Sequence, residues 1–159
     1  LSGSQKALER EAIEWMREEN AVRWGRFSPD SRFMAYVADV DVDTETFEVN
    51  VRPFDASKPE AGAGGAKPVQ VSNADRGMIS WRQDGKEMYY QQSDLQTDDA
   101  LVMVVDVSTT PTFQAGTPQL LFRLQGVLRR NWGHELSVSR DGRRFVCNMN
   151  VPVAGTPTR

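Results

Sequence analysis

Three stretches of this chain are variants of one another, and that repetition constrains the fold more than any single residue. They are Phe27–Tyr36 (FSPDSRFMAY), Trp81–Tyr90 (WRQDGKEMYY) and Val138–Cys147 (VSRDGRRFVC). Each carries an apolar or aromatic start, an Asp, a Gly or Ser, a basic residue within the next few positions, and then a run with β-strand character. Asp30, Asp84 and Asp141 lie 54 and 57 positions apart. The turn chemistry has a physical basis. Asp accepts a hydrogen bond from the backbone two residues on, and Gly85 and Gly142 take a positive φ without a Cβ clash. Ser31 stands where the other two copies have Gly; if that position is left-handed, Ser costs about 1 kcal/mol relative to Gly. Repeats of about 40–55 residues holding several short strands point to propeller blades.

A pass along the chain gives two complete units and the start of a third, each complete unit with about four antiparallel strands. The predicted division is an N-terminal helix in residues 1–23, repeats at about 24–77, 78–132 and 133–151, and a tail at 152–159. The helix is expected from Gln5 to about Val22, with Leu8, Ala12, Trp15, Met16 and Val22 at roughly helical spacing and packed on a sheet. Strands are expected from Trp24 onward. Phe33 to Val42 is one of them, with Met34, Tyr36, Ala38, Val40 and Val42 on one face. Others are Phe47–Arg52, Pro68–Ser72, Met78–Trp81, Glu87–Gln91, Ala100–Val107 and Gln119–Arg123. The fold class is therefore all-β, an antiparallel partial propeller of about two and a half blades with one N-terminal α-helix.

Composition excludes several functions. The 159 residues carry a net charge of −3 with both signs interspersed, so no basic stripe marks a nucleic-acid partner. No run approaches 18 apolar residues, which argues against membrane insertion by a helix. Cys147 is the only cysteine. It lies in an apolar strand and reads as a small buried hydrophobe rather than a reactive thiol. The chain starts on Leu1, as expected of a processed or truncated product.

Candidate chemistry is sparse. Asp39, Asp41, Asp43 and Glu45 suggest a cation loop. An EF-hand would need Gly at Thr44 and Glu at Asn50, and the acids alternate with Val40 and Val42 as the wet face of a strand does. The solvated face is the preferred reading, so no metal is assigned. His134 is the only histidine, and no Gly-x-Ser-x-Gly elbow accompanies it. No catalytic residue and no cofactor are expected. Trp24, Trp81 and Trp132 recur near the start of each unit and suggest packing positions. Arg129, Arg130, Trp132 and His134 form the candidate binding surface, on a loop ahead of the third repeat.

The repeat resembles that of TolB-like propellers, through Phe27-Ser28-Pro29-Asp30. It is most similar to the C-terminal blades of propellers in large bacterial proteins, often fused to serine/threonine kinases. The motifs that carry the likeness, in order, are Val51-Arg52-Pro53-Phe54, Trp81–Glu87, the Phe113–Phe122 element with Ala115-Gly116-Thr117-Pro118, and Val138–Phe145. The likeness spans roughly Arg23 to Asn150. It implies turn and blade-core roles for these residues and a non-catalytic module for protein or ligand recognition, frequently extracytoplasmic (periplasmic). The alternative is a propeller fragment of a dipeptidyl-peptidase-like serine hydrolase, gating substrate. Because such propellers have six or more blades, self-association through exposed blade edges is also expected.

Overall fold

The computed structural model describes residues 14–17, 21–41, 46–55, 57–58, 66–74, 78–94, 96–97, 99–125 and 136–147. They form antiparallel β-structure throughout. The first sheet is a four-stranded meander of β1 (Val22–Phe27), β2 (Phe33–Asp41), β3 (Thr46–Pro53) and β4 (Val69–Ala74), paired in that order. The second contains β5 (Ile79–Trp81), β6 (Glu87–Ser93), β7 (Ala100–Ser108), β8 (Gln114–Ala115) and β9 (Gln119–Leu124). Here β5, β6 and β7 pair in sequence, and β8 and β9 both pair with β7. A hairpin of β10 (Leu136–Val138) and β11 (Phe145–Cys147) follows.

Register sets the core. Ala35 opposes Val51 and Val37 opposes Val49 across β2 and β3, and all four are buried. On the second sheet Met88 opposes Val105 and Tyr90 opposes Met103. These side chains join Phe33, Phe47, Val71, Ile79 and Phe113 in one core between the two sheets. The opposite face of the second sheet presents Tyr89, Val102 and Phe122. It packs on Leu136, Val138 and Phe145 of the hairpin. With an apolar layer on each side, four consecutive β6 residues, Met88-Tyr89-Tyr90-Gln91, are all buried. Full burial of each large apolar side chain contributes about 1.5–3 kcal/mol.

Two sequence expectations require correction. The β2 face toward the second sheet carries Phe33, Ala35, Val37 and Asp39, while Val40 is 45 % exposed. The alternate face was misleading because Tyr36 is buried there too, opposite the buried Asn50. The N-terminal helix expected up to Val22 does not reach that residue. Residues 14–17 are non-helical and Val22 opens β1; the remainder of the expected helix lies outside the described residues, where nothing tests it. Trp15 nonetheless packs edge-on against Phe54, with ring centroids 5.7 Å apart. The strand expected at Gln119–Arg123 forms as β9, and the short β8 pairs with β7 ahead of it. Gly116-Thr117-Pro118 separates the two, with Gly116 N donating to Asp106 O at 2.8 Å.

Candidate functional site

The three repeat turns are built from the same bonds. Ser31 N donates to Ser28 O at 2.8 Å, Gly85 N to Arg82 O at 2.9 Å and Gly142 N to Ser139 O at 2.9 Å. One step further out, Ser28 N donates to Phe33 O, Arg82 N to Glu87 O and Ser139 N to Arg144 O. Asp30, Asp84 and Asp141 each accept a backbone N–H two residues on, from Arg32, Lys86 and Arg143, all at 3.1 Å. The left-handed position has φ of 56° at Ser31, 71° at Gly85 and 72° at Gly142. In the outer copies Ser28 Oγ and Ser139 Oγ donate to the aspartate at 2.6 Å. In the middle copy Arg82 occupies that position and donates Nε–H to Asp84 at 2.7 Å.

These bonds lower the carboxyl pKa values. Ser139 Oγ, then the Arg143 amide, holds Asp141 below the usual carboxylate range. Arg82 does the same for Asp84. At Asp30 burial pushes upward, but the bonds from Ser28 and Arg32 together outweigh it and the carboxyl is lowered.

Arg82 also anchors a bonded group of the second unit that lies against Gly142 of the third. Its Nη1 pairs with Glu87 Oε1, and Tyr89 Oη donates to Glu87 Oε2. Gln83 N donates to Arg140 O across the two turns at 3.3 Å. Burial, then the bond to Glu87, pushes the Tyr89 phenol upward. Beside this triad a cleft of about 480 Å³ opens between Asp106, Gln119 and Phe122 of the second unit and Arg143 of the third.

A second cleft, about 230 Å³, lies where the first strands of the three units converge. Arg26 from β1, Ser80 from β5, and Leu136 and Ser137 from β10 line it. Trp81 Nε1 donates to Arg26 O at 3.4 Å and holds β1 against β5.

Among the sequence candidates, Arg129, Arg130, Trp132 and His134 lie outside the described residues, as do Asp43, Glu45 and the side chain of Asp41. Asp39 is not on a wet face. It is 6 % exposed, and Arg23 Nη2 reaches its Oδ2 at 2.9 Å while the guanidinium lies over the Phe47 ring. Sequence reasoning missed this pair because the partners are 16 residues apart and only the β1–β2 register brings them together. No group of three potential metal-ligating side chains occurs among the described residues. No helix there is long and apolar enough to cross a membrane. Trp24 and Trp81 pack at the margin of the main core. Burial pushes the Cys147 thiol upward, away from thiolate chemistry. No protein-family model matches the chain, and no curated protein matches it.

Proposed function

We propose that the chain is a run of β-propeller blades of the TolB-like kind, serving non-catalytic recognition of a protein or ligand. The observation that carries this reading is the convergence of β1, β5 and β10. The first strands of three successive units line one cleft, the two complete sheets lie face to face, and every first strand leaves through the same turn. Radial repetition of antiparallel meanders places equivalent strands together in this way. In such folds the sheets are a frame and the connecting loops bind. The segment that carries Arg129, Arg130, Trp132 and His134 immediately precedes β10 in the sequence, which makes it the recognition element of this reading. The setting is extracytoplasmic, the partner is a protein or ligand, and no cofactor takes part.

Self-association through strand edges belongs to the same proposal. Val146 on β11 is 71 % exposed, and Leu120 and Leu121 on β9 are exposed side by side. Exposed apolar strands at sheet margins invite pairing. Light scattering at micromolar concentration is expected to give a mass above the 17.9 kDa of one chain; a clean monomer refutes self-association.

The recognition role is tested by pull-down from the envelope fraction of the source cells. The wild-type chain is compared with a variant carrying alanine at positions 129, 130, 132 and 134. A partner held by the wild type and lost by the variant supports the role of those residues; retention of every partner refutes it. Ester turnover abolished by His134→Ala would overturn the non-catalytic reading.

A further inference from the structure

The two interfaces between successive units are not filled alike. Between the first and second units, β7 and the segment after it close the space. Val105, Val107 and Phe113 pack with Phe33, Val51 and Val71, and the Phe113 ring lies 5.6 Å from Phe33 and 6.2 Å from Trp81. Between the second and third units, only the β10–β11 hairpin stands among the described residues. Phe145 reaches Tyr89 and Phe122. Beyond it, the face of β6, β7 and β9 opens into the cleft of about 480 Å³. The floor of that cleft is one face of the sheet. Glu87 opposes Asp106, and Tyr89 and Gln119 both oppose Val104; directly opposed residues share a face. Tyr89 and Val104 belong to the layer under the hairpin, so all five side chains turn that way.

The free edge of β11 lies beside this cleft. Bonded and non-bonded pairs alternate along an antiparallel ladder. Ser139 N donates to Arg144 O, so the next bonded pair is Ser137 with Val146. Phe145 and Cys147 therefore turn their N–H and C=O groups to the edge away from β10, where no described strand pairs with them. Their counterparts in the second repeat, Met88 and Tyr90, pair with Val105 and Met103 of β7.

We propose that the β11 edge and the adjoining cleft bind an extended segment of a partner protein that carries a tyrosine or tryptophan. The segment pairs with Phe145 and Cys147 as β7 pairs with β6, and its ring enters the cleft as Phe113 enters the first interface. This is strand addition, in which backbone bonds supply affinity and a side-chain pocket supplies selectivity. The chemistry of the cleft selects the ring. Glu87 stands at the repeat position of Phe33, already bonded to Arg82 and Tyr89. Asp106, across from it, has a carboxylate with no bonding partner among the described residues. A phenol or indole offers a donor to that acid, which a phenyl ring lacks. Arg143 lines the same cleft, and a guanidinium stacks on an aromatic face. The inference rests on the protein-recognition reading and names the segment and pocket that serve it.

The test uses labelled synthetic peptides that copy Val102–Pro118 of this chain, with Trp, Tyr, Phe or Ala at the place of Phe113. Fluorescence anisotropy against the dilute full chain reads affinity, and amide hydrogen exchange of the ¹⁵N-labelled chain reads the edge. The Trp and Tyr peptides are expected to saturate. The Phe peptide binds at least about threefold more weakly, for want of one hydrogen bond, and the Ala peptide at least about tenfold more weakly, for want of the buried ring. Bound peptide slows exchange at the Phe145 and Cys147 amides, while Val146 is slow from the start. Gln119→Trp fills the cleft from its rim and weakens the Trp peptide at least about tenfold. Absence of saturation, equal affinity for all four peptides, or binding that leaves the Phe145 and Cys147 amides exchanging as before overturns the proposal. Slowing of those amides as the chain itself is concentrated, without peptide, assigns the edge to a second copy and overturns it too. The pull-down reads positions 129, 130, 132 and 134 and not this edge, so the two readings fail separately.

Discussion

Gly142 offers the sharpest test of how the third unit is locked to the second. A Cβ there would lie 2.4 Å from Tyr89 Oη and 2.9 Å from Arg82 Cδ, at a φ of 72°. Neither neighbour can yield easily. The Tyr89 ring is 1 % exposed and its hydroxyl is bonded to Glu87, and Arg82 is held by both Asp84 and Glu87. Gly85 is the internal control, with the same turn, φ of 71° and nothing within 4 Å of an added Cβ. For Gly85→Ala the left-handed strain costs about 1–2 kcal/mol, and the stiffer unfolded chain returns about 0.4–1 kcal/mol, leaving a net loss of about 0.5–1 kcal/mol. Gly142→Ala adds the forced displacement of packed neighbours, about 1–3 kcal/mol, for a total of about 1.5–4 kcal/mol. For a domain of this size the melting temperature then falls by about 5–15 °C. Urea unfolding of both variants supplies the comparison. Equal losses at positions 85 and 142, or no loss at 142, refute the packing of the third turn on Tyr89 and Arg82.

Tyr89→Phe removes the hydroxyl that Gly142→Ala collides with, so the double variant is expected to lose less than the sum of the two single losses; strict additivity in urea melts contradicts the shared contact. Arg23→Ala leaves the buried Asp39 carboxylate unpaired and costs about 2 kcal/mol, at the low side for a broken buried pair because Arg23 is partly exposed; a loss under 0.5 kcal/mol, measured by thermal melts, argues against the pair. Asp30, Asp84 and Asp141 have folded pKa values depressed below the unfolded value of about 3.9. Their contribution is therefore complete above that pH and lost as pH falls through the folded values. The urea midpoint should drop below about pH 4, and a triple Asp→Asn variant, which keeps the turns but cannot titrate, should drop less; identical acid profiles refute the assignment.

The turn chemistry was the most legible part of the sequence, because it is local. Asp at one position and Gly at the next specify a positive φ within a few bonds, and Ser31 takes the same conformation as its glycine counterparts at the cost its side chain implies. Strand positions were readable from β-branched and aromatic runs. Facing was not. Alternation reports burial only where one face of a sheet is wet, and Tyr36 and Tyr89 lie on faces covered from both sides. The two-residue β8 is too short to leave a pattern. Asp39 depended on register, which sets the distance to Arg23 and leaves no trace in spacing.

The face-to-face order of the three repeats is the central claim, and proton–proton nuclear Overhauser contacts between aromatic rings test it most directly. Phe145 of the third unit lies 5.3 Å from Tyr89 and 5.1 Å from Phe122 of the second, ring centre to ring centre. Phe113 of the second unit lies 5.6 Å from Phe33 of the first. Cross-peaks between all three pairs in a dilute sample are the predicted result. Intact hairpin cross-peaks within each unit, with none of these three between units, would contradict a stacked array of repeats.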